Sequence, residues 1–240
     1  MRVTRTYVDQ PLAVGTTVEL PDDVVAHLGR VLRLGDGALC TLFNGDGHDY
    51  SAQLVNMTKK SGQAQIESIE SKPTESPLRI TLIQGVARGE KMDWILQKAT
   101  ELGVTRIVPV LSQRGEVKLS GERADKRRQH WQEVVISACE QSGRAVIPVV
   151  EPLCELNALK TDVALALMLE PTASDRFTDL QAGTRDIALA IGPEGGWSEH
   201  DMRHLIERNF KGVRIGPRVL RTETAGLAAI AALQCQFGDF

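Results

Sequence analysis

From Arg79 onward the chain alternates short apolar runs with helical segments, and this rhythm constrains the fold more than any other feature. Arg79–Val86, Thr105–Leu111, Val146–Val150, Val163–Leu169, Ile187–Ile191 and Val213–Ile215 read as strands. Glu90–Leu102 reads as an amphipathic helix, with Trp94, Ile95, Ala99 and Leu102 at helical spacing and Gly103 as its stop. A long helix follows from about Glu122 to Gln141, another from Ser198, and a last one ends near Gln234. Strands separated by helices must run mostly parallel, so the expected class is α/β with a largely parallel sheet covered on both faces.

Before this rhythm the pattern is different. Thr17–Leu20, Ala38–Phe43, Ala52–Val55 and Ala64–Ile69 are short apolar stretches, and Asn44-Gly45-Asp46-Gly47 is a strong hairpin turn. One helix falls near Asp22–Leu32. The stretch Ser71–Pro77, SKPTESP, has the composition of a linker. The boundaries read are therefore 1–72 for a small β domain, 73–77 for a linker and 78–240 for the α/β domain.

Composition excludes several classes. With 28 Lys+Arg against 31 Asp+Glu the formal charge is −3, so RNA or DNA binding must rely on local patches. Five Phe, three Trp and two Tyr are too few for a protein built on base-stacking platforms. Cys40, Cys139, Cys154 and Cys235 form no CxxC pair and read as reduced thiols. No apolar segment follows the N-terminus as in a secretory signal, and no run is long enough to span a bilayer, so the expected compartment is the cytoplasm. His200 and His204 lack further ligands, so no metal site is expected.

The densest signal is a pair of Gly-Pro corners, each at the end of a strand. Ile191 is followed by Gly192-Pro193-Glu194-Gly195-Gly196-Trp197-Ser198, and Ile215 by Gly216-Pro217-Arg218-Val219-Leu220-Arg221-Thr222-Glu223-Thr224. Neither can continue a strand. Ser198 with Asp201 resembles a capping box that starts the next helix. In open α/β sheets, ligands bind beyond the carboxyl ends of strands, so two such corners would form one pocket. Tight turns with helix caps are the plainer reading. No GxGxxG is present, and Gly85–Lys91 has the wrong spacing for a P-loop.

The segments Ile191-GPEGGWS, Ile215-GPRVLRTETA, Gln84-GVARGEKMDWILQKATELGV and Ala138-CEQSGR, with His27-Leu28-Gly29-Arg30-Val31-Leu32-Arg33, resemble the RsmE family. These are 16S ribosomal RNA uridine-N3 methyltransferases of the SPOUT, or trefoil-knot, superfamily. The resemblance covers the whole chain. It implies a C-terminal α/β-knot domain and a small N-terminal PUA-like β-barrel for RNA. It also implies S-adenosylmethionine as methyl donor, 16S ribosomal RNA of the small subunit as partner, and a homodimer. Transfer RNA as substrate, or an inactive RNA-binding homologue, are the alternatives.

The family pattern maps the cofactor cradle onto three segments and the start of the last helix. They supply Leu167, Leu169 and Glu170; Ile191, Gly192, Pro193, Glu194, Gly195 and Gly196; Ile215, Gly216, Val219 and Leu220; and Thr224 with Ala225. Arg221 is the candidate for stabilising the uridine anion, because a guanidinium beside O2 or O4 favours loss of the N3 proton. Glu223 either accepts that proton or serves the helix dipole.

For RNA, His27, Arg30 and Arg33 share one face if the helix extends that far, and Arg2 and Arg5 are nearby in sequence. Arg88, Lys91 and Arg144 lie in family-matching motifs, and Arg114, Lys118, Arg123, Lys126, Arg127 and Arg128 form a basic run. For the dimer, Gly226, Ala228, Ala229 and Ala232 leave a low surface on the last helix, with Leu227, Ile230 and Leu233 as bulk.

Overall fold

A computed structural model describes residues 3–181 and 183–240. The chain forms two compact units. One reaches to Glu75 and includes Cys139–Ile147; the other consists of Ser76–Ala138 and Pro148–Phe240.

In the first unit β1 (Thr4–Tyr7), β2 (Thr17–Glu19), β3 (Leu39–Phe43), β4 (His48–Val55) and β5 (Gln63–Ser71) form one sheet in the order β1-β3-β4-β5-β2. The β1–β3 pair is parallel and the others are antiparallel. Alternate residues point inward, so Leu42, Leu54, Ala64 and Ile66 meet Val25 and Leu28 in one core. Helix α1 (Asp22–Val25) runs into a π-helical turn over Ala26–Val31. The turn between β3 and β4 depends on Gly45 and Gly47, both at φ 91°.

Strand β1 escapes a local reading because it is four residues long and partly charged. What fixes it is Arg5. Its guanidinium stacks 3.7 Å from the Phe43 ring centroid and pairs with Asp49 at 2.8 Å. It also donates to the carbonyls of Cys139 at 2.8 Å and Arg144 at 2.9 Å. The Tyr7 N–H donates to Glu140 at 3.0 Å, and Arg144 donates to Glu75 at 3.1 Å. These bonds explain why Cys139–Ile147 groups with the first unit. Burial pushes the Cys139 thiol up to about 11, which suits an inert interior thiol. The Cys40 thiol is likewise pushed up to about 11 by burial.

The second unit holds β6 (Arg79–Gly85), α2 (Glu90–Glu101), β7 (Val104–Leu111), α3 (Glu122–Ser142), β8 (Val149–Val150) and β9 (Cys154–Glu155). The last turn of α3, from Cys139, counts with the first unit. After them come β10 (Leu165–Leu169), β11 (Asp186–Ile191), α4 (Glu199–Glu207), β12 (Lys211–Val213) and α5 (Thr222–Phe237). The seven strands run in the order β12-β10-β11-β6-β7-β8, with β9 beside β7. Every pair is parallel. Strands β6 and β11 are buried almost throughout, as central strands of a covered parallel sheet must be. On one face Ile83, Val108, Met168 and Ala190 pack with Trp197, Leu205 and Phe210. Each such fully buried aliphatic side chain contributes about 1.5–3 kcal/mol.

The strand at Cys154–Glu155 has no counterpart in the sequence reading, β10 starts at Leu165 and not at Val163, and two further strands differ. Strand β12 lies at Lys211–Val213 rather than Val213–Ile215. Asn209, at φ 63°, turns the chain sharply after α4, and the strand starts early. Arg214 then makes only an isolated bridge to Arg176, so Ile215 leaves the sheet. The strand read at Val146–Val150 is reduced to Val149–Val150, because Ala145 is spent on Gly47 of the first unit. Glu75 binds Arg144 in the first unit, whereas Ser76 donates to Gln234 at 2.7 Å in the second.

Candidate active site

The ends of β10, β11 and β12 open into a cavity of about 530 Å³. Its walls are the segments Leu169–Pro171, Ile191–Trp197, Val213–Gly216 and Arg218–Glu223, with Ala225, Lys91 and Arg114. A second cavity, about 650 Å³, lies between α2 and α3 and is lined by Trp94, Gln97 and Val134 among others. Lys91 and Glu223 line both.

The first corner is tightly built. The Gly196 N–H donates to the Pro193 carbonyl at 2.8 Å, with Gly196 at φ 67°. Ser198 caps α4 through a reciprocal pair: its hydroxyl accepts from the Asp201 N–H at 3.0 Å and its own N–H donates to Asp201 at 2.9 Å. The other Asp201 oxygen accepts from the Gln113 N–H at 3.3 Å. A methyl group on Gly195 would stand 2.9 Å from the Arg114 carbonyl oxygen, and one on Gly85 2.6 Å from Pro193. The glycines are there because three backbone segments touch.

Charge concentrates on one wall. Glu194 accepts from the Arg88 N–H at 3.1 Å and lies 3.4 Å from the Lys91 ammonium. Burial pushes the Glu194 carboxyl up, but the donors from Arg88, its own backbone and Lys91 outweigh it and hold it below the ordinary range. Lys91 also lies 3.8 Å from Glu223, and Arg221 lies 4.0 Å from the same carboxylate. One Glu223 oxygen is buried without a hydrogen bond. An orphaned carboxylate oxygen beside two cations is an acceptor waiting for a donor.

The structure gathers Leu169, Glu170, Ile191, Gly192, Pro193, Glu194, Gly195, Gly196, Ile215, Gly216, Val219, Leu220 and Ala225 around the first cavity, together with Arg221 and Glu223. Leu167 is a correction: it is fully buried in β10, and only the end of that strand reaches the crevice. Thr224 is another, since it sits exposed on α5 outside the cavity lining. Sequence reasoning did not assign Arg114, Pro171, Trp197 or Thr222 to this lining. Trp197 and Thr222 stand in the two Gly-Pro corners and Arg114 begins the basic run, whereas Pro171 carries no signal of its own.

The RNA candidates are sorted differently. Arg5 is committed to Asp49, Phe43 and two carbonyls, which removes it from the RNA-facing set. Arg2 lies outside the described residues. His27, Arg30 and Arg33 are all exposed, but they do not share a face by α-helical spacing. The turn is π-helical, with the Leu32 N–H bonded to the His27 carbonyl, and Arg33 lies beyond it at φ 57°. Arg88 is exposed and paired with Glu116 at 2.7 Å. On α5, Gly226, Ala229, Ile230 and Leu233 are buried inside their own unit, which takes them out of the expected dimer surface. Among the described residues no group of three or more metal-ligating side chains gathers. None of the described helices is long and apolar enough to cross a membrane.

A parallel sheet with a glycine-walled crevice at its strand ends, joined to a small β unit, defines an RNA methyltransferase when set beside known families. The RNA methyltransferase domain family matches residues 74–234, and the RNA methyltransferase PUA domain family matches residues 20–67. Ribosomal RNA small subunit methyltransferase E of Buchnera aphidicola from Schizaphis graminum is 31% identical over 99% of this chain and 98% of its own. The protein of the same name from Bacillus subtilis is 28% identical over 95% and 93%. The crystal structure of the Neisseria gonorrhoeae enzyme of that name, bound to S-adenosylmethionine, is 44% identical, covers both chains fully and superposes with a TM-score of 0.95. A Legionella pneumophila methyltransferase, also with the bound cofactor, is 37% identical with a TM-score of 0.96. The chain belongs to the ribosomal RNA small subunit methyltransferase E family.

Proposed function

We propose that this protein transfers the methyl group of S-adenosylmethionine to N3 of a uridine in 16S ribosomal RNA, acting on the assembled small subunit in the cytoplasm. The observation that carries the reading is the wall shared by two cavities, where Lys91, Arg221 and the orphaned Glu223 oxygen meet. One cavity suits the donor and the other opens a path for the acceptor base.

The donor fits the first cavity on physical grounds. Its volume is in the usual ligand range of ~300–1,000 Å³. Its walls combine glycine backbone with Leu169, Ile215 and Leu220, a surface that suits the flat apolar faces and polar edges of adenine. Glu170 and Glu194 place carboxylates at the rim for cationic or hydroxyl groups. When bound, the cofactor supplies an electrophilic methyl on a cationic sulfur.

The chain's own residues have three tasks. Arg221 stabilises negative charge on the uracil ring as the N3 proton leaves. Glu223 accepts that proton through its orphaned oxygen, which lies 3.8 Å from the Lys91 ammonium. The glycine and aliphatic walls hold the partners in line for a step in which opposite charges cancel. In the first unit, exposed His27, Arg30 and Arg33 meet RNA phosphates; in the second, exposed Arg88 does the same. The knotted threading of the C-terminal third belongs to the same reading. So does a homodimer that uses the half-buried Leu227, Ala228 and Ala232 of α5.

Incubating the protein with S-adenosylmethionine and small subunits, free 16S RNA or transfer RNA, followed by nucleoside mass spectrometry, tests this directly. 3-Methyluridine from the subunits is expected. Methylation of transfer RNA alone, or of a different atom, refutes the reading. Light scattering at micromolar concentration tests the dimer.

A further inference from the structure

Behind the crevice runs a polar chain that the mechanism above does not use. Gln84 is fully buried in β6, among Ile80, Leu82 and Ile83. An amide in such a place is costly unless hydrogen-bonded. Its Nε2 donates to the Gly85 carbonyl at 2.9 Å and to the Thr222 hydroxyl at 3.0 Å. The Thr222 hydroxyl, also buried, donates in turn to the Gly192 carbonyl at 2.6 Å. One hydrogen-bonded path therefore joins the centre of the sheet, the first residue of α5 and the first residue of the Gly192–Ser198 corner.

Thr222 stands between Arg221 and Glu223 in the chain. Helix α5 begins without a side-chain cap, so the hydroxyl nearest its start is turned to the corner instead. With one bond accepted and one donated, that hydroxyl has a single orientation. The packing around it is close. A methyl group on Gly226 would stand 3.4 Å from Ile191 and 3.8 Å from the Gln84 oxygen, so α5 lies directly on this path.

We infer that Gln84 and Thr222 are positioning residues for methyl transfer. They hold the turn that carries Arg221 and Glu223 in fixed register with the wall that cradles the donor. The inference rests on the methyl-transfer reading above. The two halves of the site are thus aligned through the protein interior, in addition to the Lys91 ammonium that lies between Glu194 and Glu223 at the cavity wall. Misplacement of reacting groups by about 1 Å costs on the order of 10²-fold in rate.

Thr222→Val keeps the shape of the side chain and removes both bonds; Thr222→Ser keeps both bonds. Thr222→Val should lower turnover at saturating donor about 10²-fold, while calorimetry gives an S-adenosylmethionine Kd within about three-fold of the native protein. Thr222→Ser should restore turnover to within about three-fold. Gln84→Met, which removes only the first bond, should lose about ten-fold and serves if the valine variant does not fold. Native turnover in Thr222→Val, or a loss wholly in donor affinity, overturns the proposal. Amide exchange gives an arm that needs no RNA. Donor binding should protect the Thr224 and Ala225 amides in the native protein and not in Thr222→Val. Equal protection in both would refute the alignment even if the acceptor proved to be another RNA.

Discussion

The two Gly-Pro corners look alike in sequence and differ in substance. At Gly192–Ser198 the backbone is packed on three sides, and methyl groups on Gly192 or Gly195 would meet other backbone at 3.1 or 2.9 Å. At Gly216–Arg221 a methyl on Gly216 meets nothing within 4 Å, and Val219 is 80% exposed. The first corner is a finished wall held by its own bonds and by the cap of α4. The second is fixed mainly at its ends, by the Arg214 N–H on Asp175 and by the first turn of α5. Packing against other backbone requires a glycine at Gly192 and Gly195, whereas nothing in the protein itself requires one at Gly216.

The largest effect expected from this contrast is at Arg221, whose side chain is 81% exposed and only loosely paired at 4.0 Å. Arg221→Ala should leave the thermal midpoint unchanged and slow turnover by ~10²–10³. Donor affinity should stay within a few-fold. The deficit should shrink as pH rises, because uridine then loses its proton unaided. If donor affinity falls instead and turnover at saturation does not, Arg221 holds the cofactor and not the uracil anion.

Glycine substitutions cut the comparison more finely. Gly195→Ala and Gly85→Ala force backbone apart and should destabilise the unliganded protein by about 1–3 kcal/mol, read as a lower unfolding midpoint. Gly216→Ala has open space and should leave that midpoint alone, yet weaken S-adenosylmethionine binding where ligand and backbone approach. Equal destabilisation at both corners would mean that Gly216 is as tightly packed as Gly195.

What the sequence made legible follows from this contrast. Alternating periodicity gives a parallel sheet, and Gly-Pro after a strand gives a loop, because both are local signals. The capping box at Ser198 is local too. Parallel pairing of Thr4–Tyr7 with Cys40–Phe43 is not, nor is the grouping of Cys139–Ile147 with the first unit. Nothing local in sequence marks Arg5 as a structural residue; Phe43 and Asp49 lie about forty residues on, and the Cys139 and Arg144 carbonyls more than a hundred. Gln84 looks like a polar interruption in an apolar strand until Thr222 arrives 138 residues later. The same distance hides the face of α5 that packs inward, since a helix rich in alanine shows no clear stripe.

The helix behind the first corner gives a smaller effect. Ser198→Ala removes one half of the reciprocal cap and should cost about 1 kcal/mol of stability. The Asp201 side chain would keep its bond to the Gln113 N–H, so the corner should keep its place and activity at 25 °C should change little. A large loss of donor affinity in this variant would mean that the wall is not self-supporting.

The smallest effect is a pH dependence carried by Glu194. Its carboxyl is held below the ordinary range, since the donors from Arg88, its own backbone and Lys91 outweigh the upward push of burial. A group with a depressed folded pKa binds fewer protons in the folded than in the unfolded chain. Its stabilisation is therefore fully present above the unfolded value of about 4.3, and is lost as pH falls through the folded value. The native unfolding midpoint should drop as pH falls from about 5 toward about 3. Part of that drop should vanish in Glu194→Gln, which keeps the shape and cannot titrate. The difference should be modest, because the side chain is 26% exposed and solvent screens it. An identical slope in both proteins would show that Glu194 gains nothing from its donors. The first corner would then be held by its glycines and its helix cap alone.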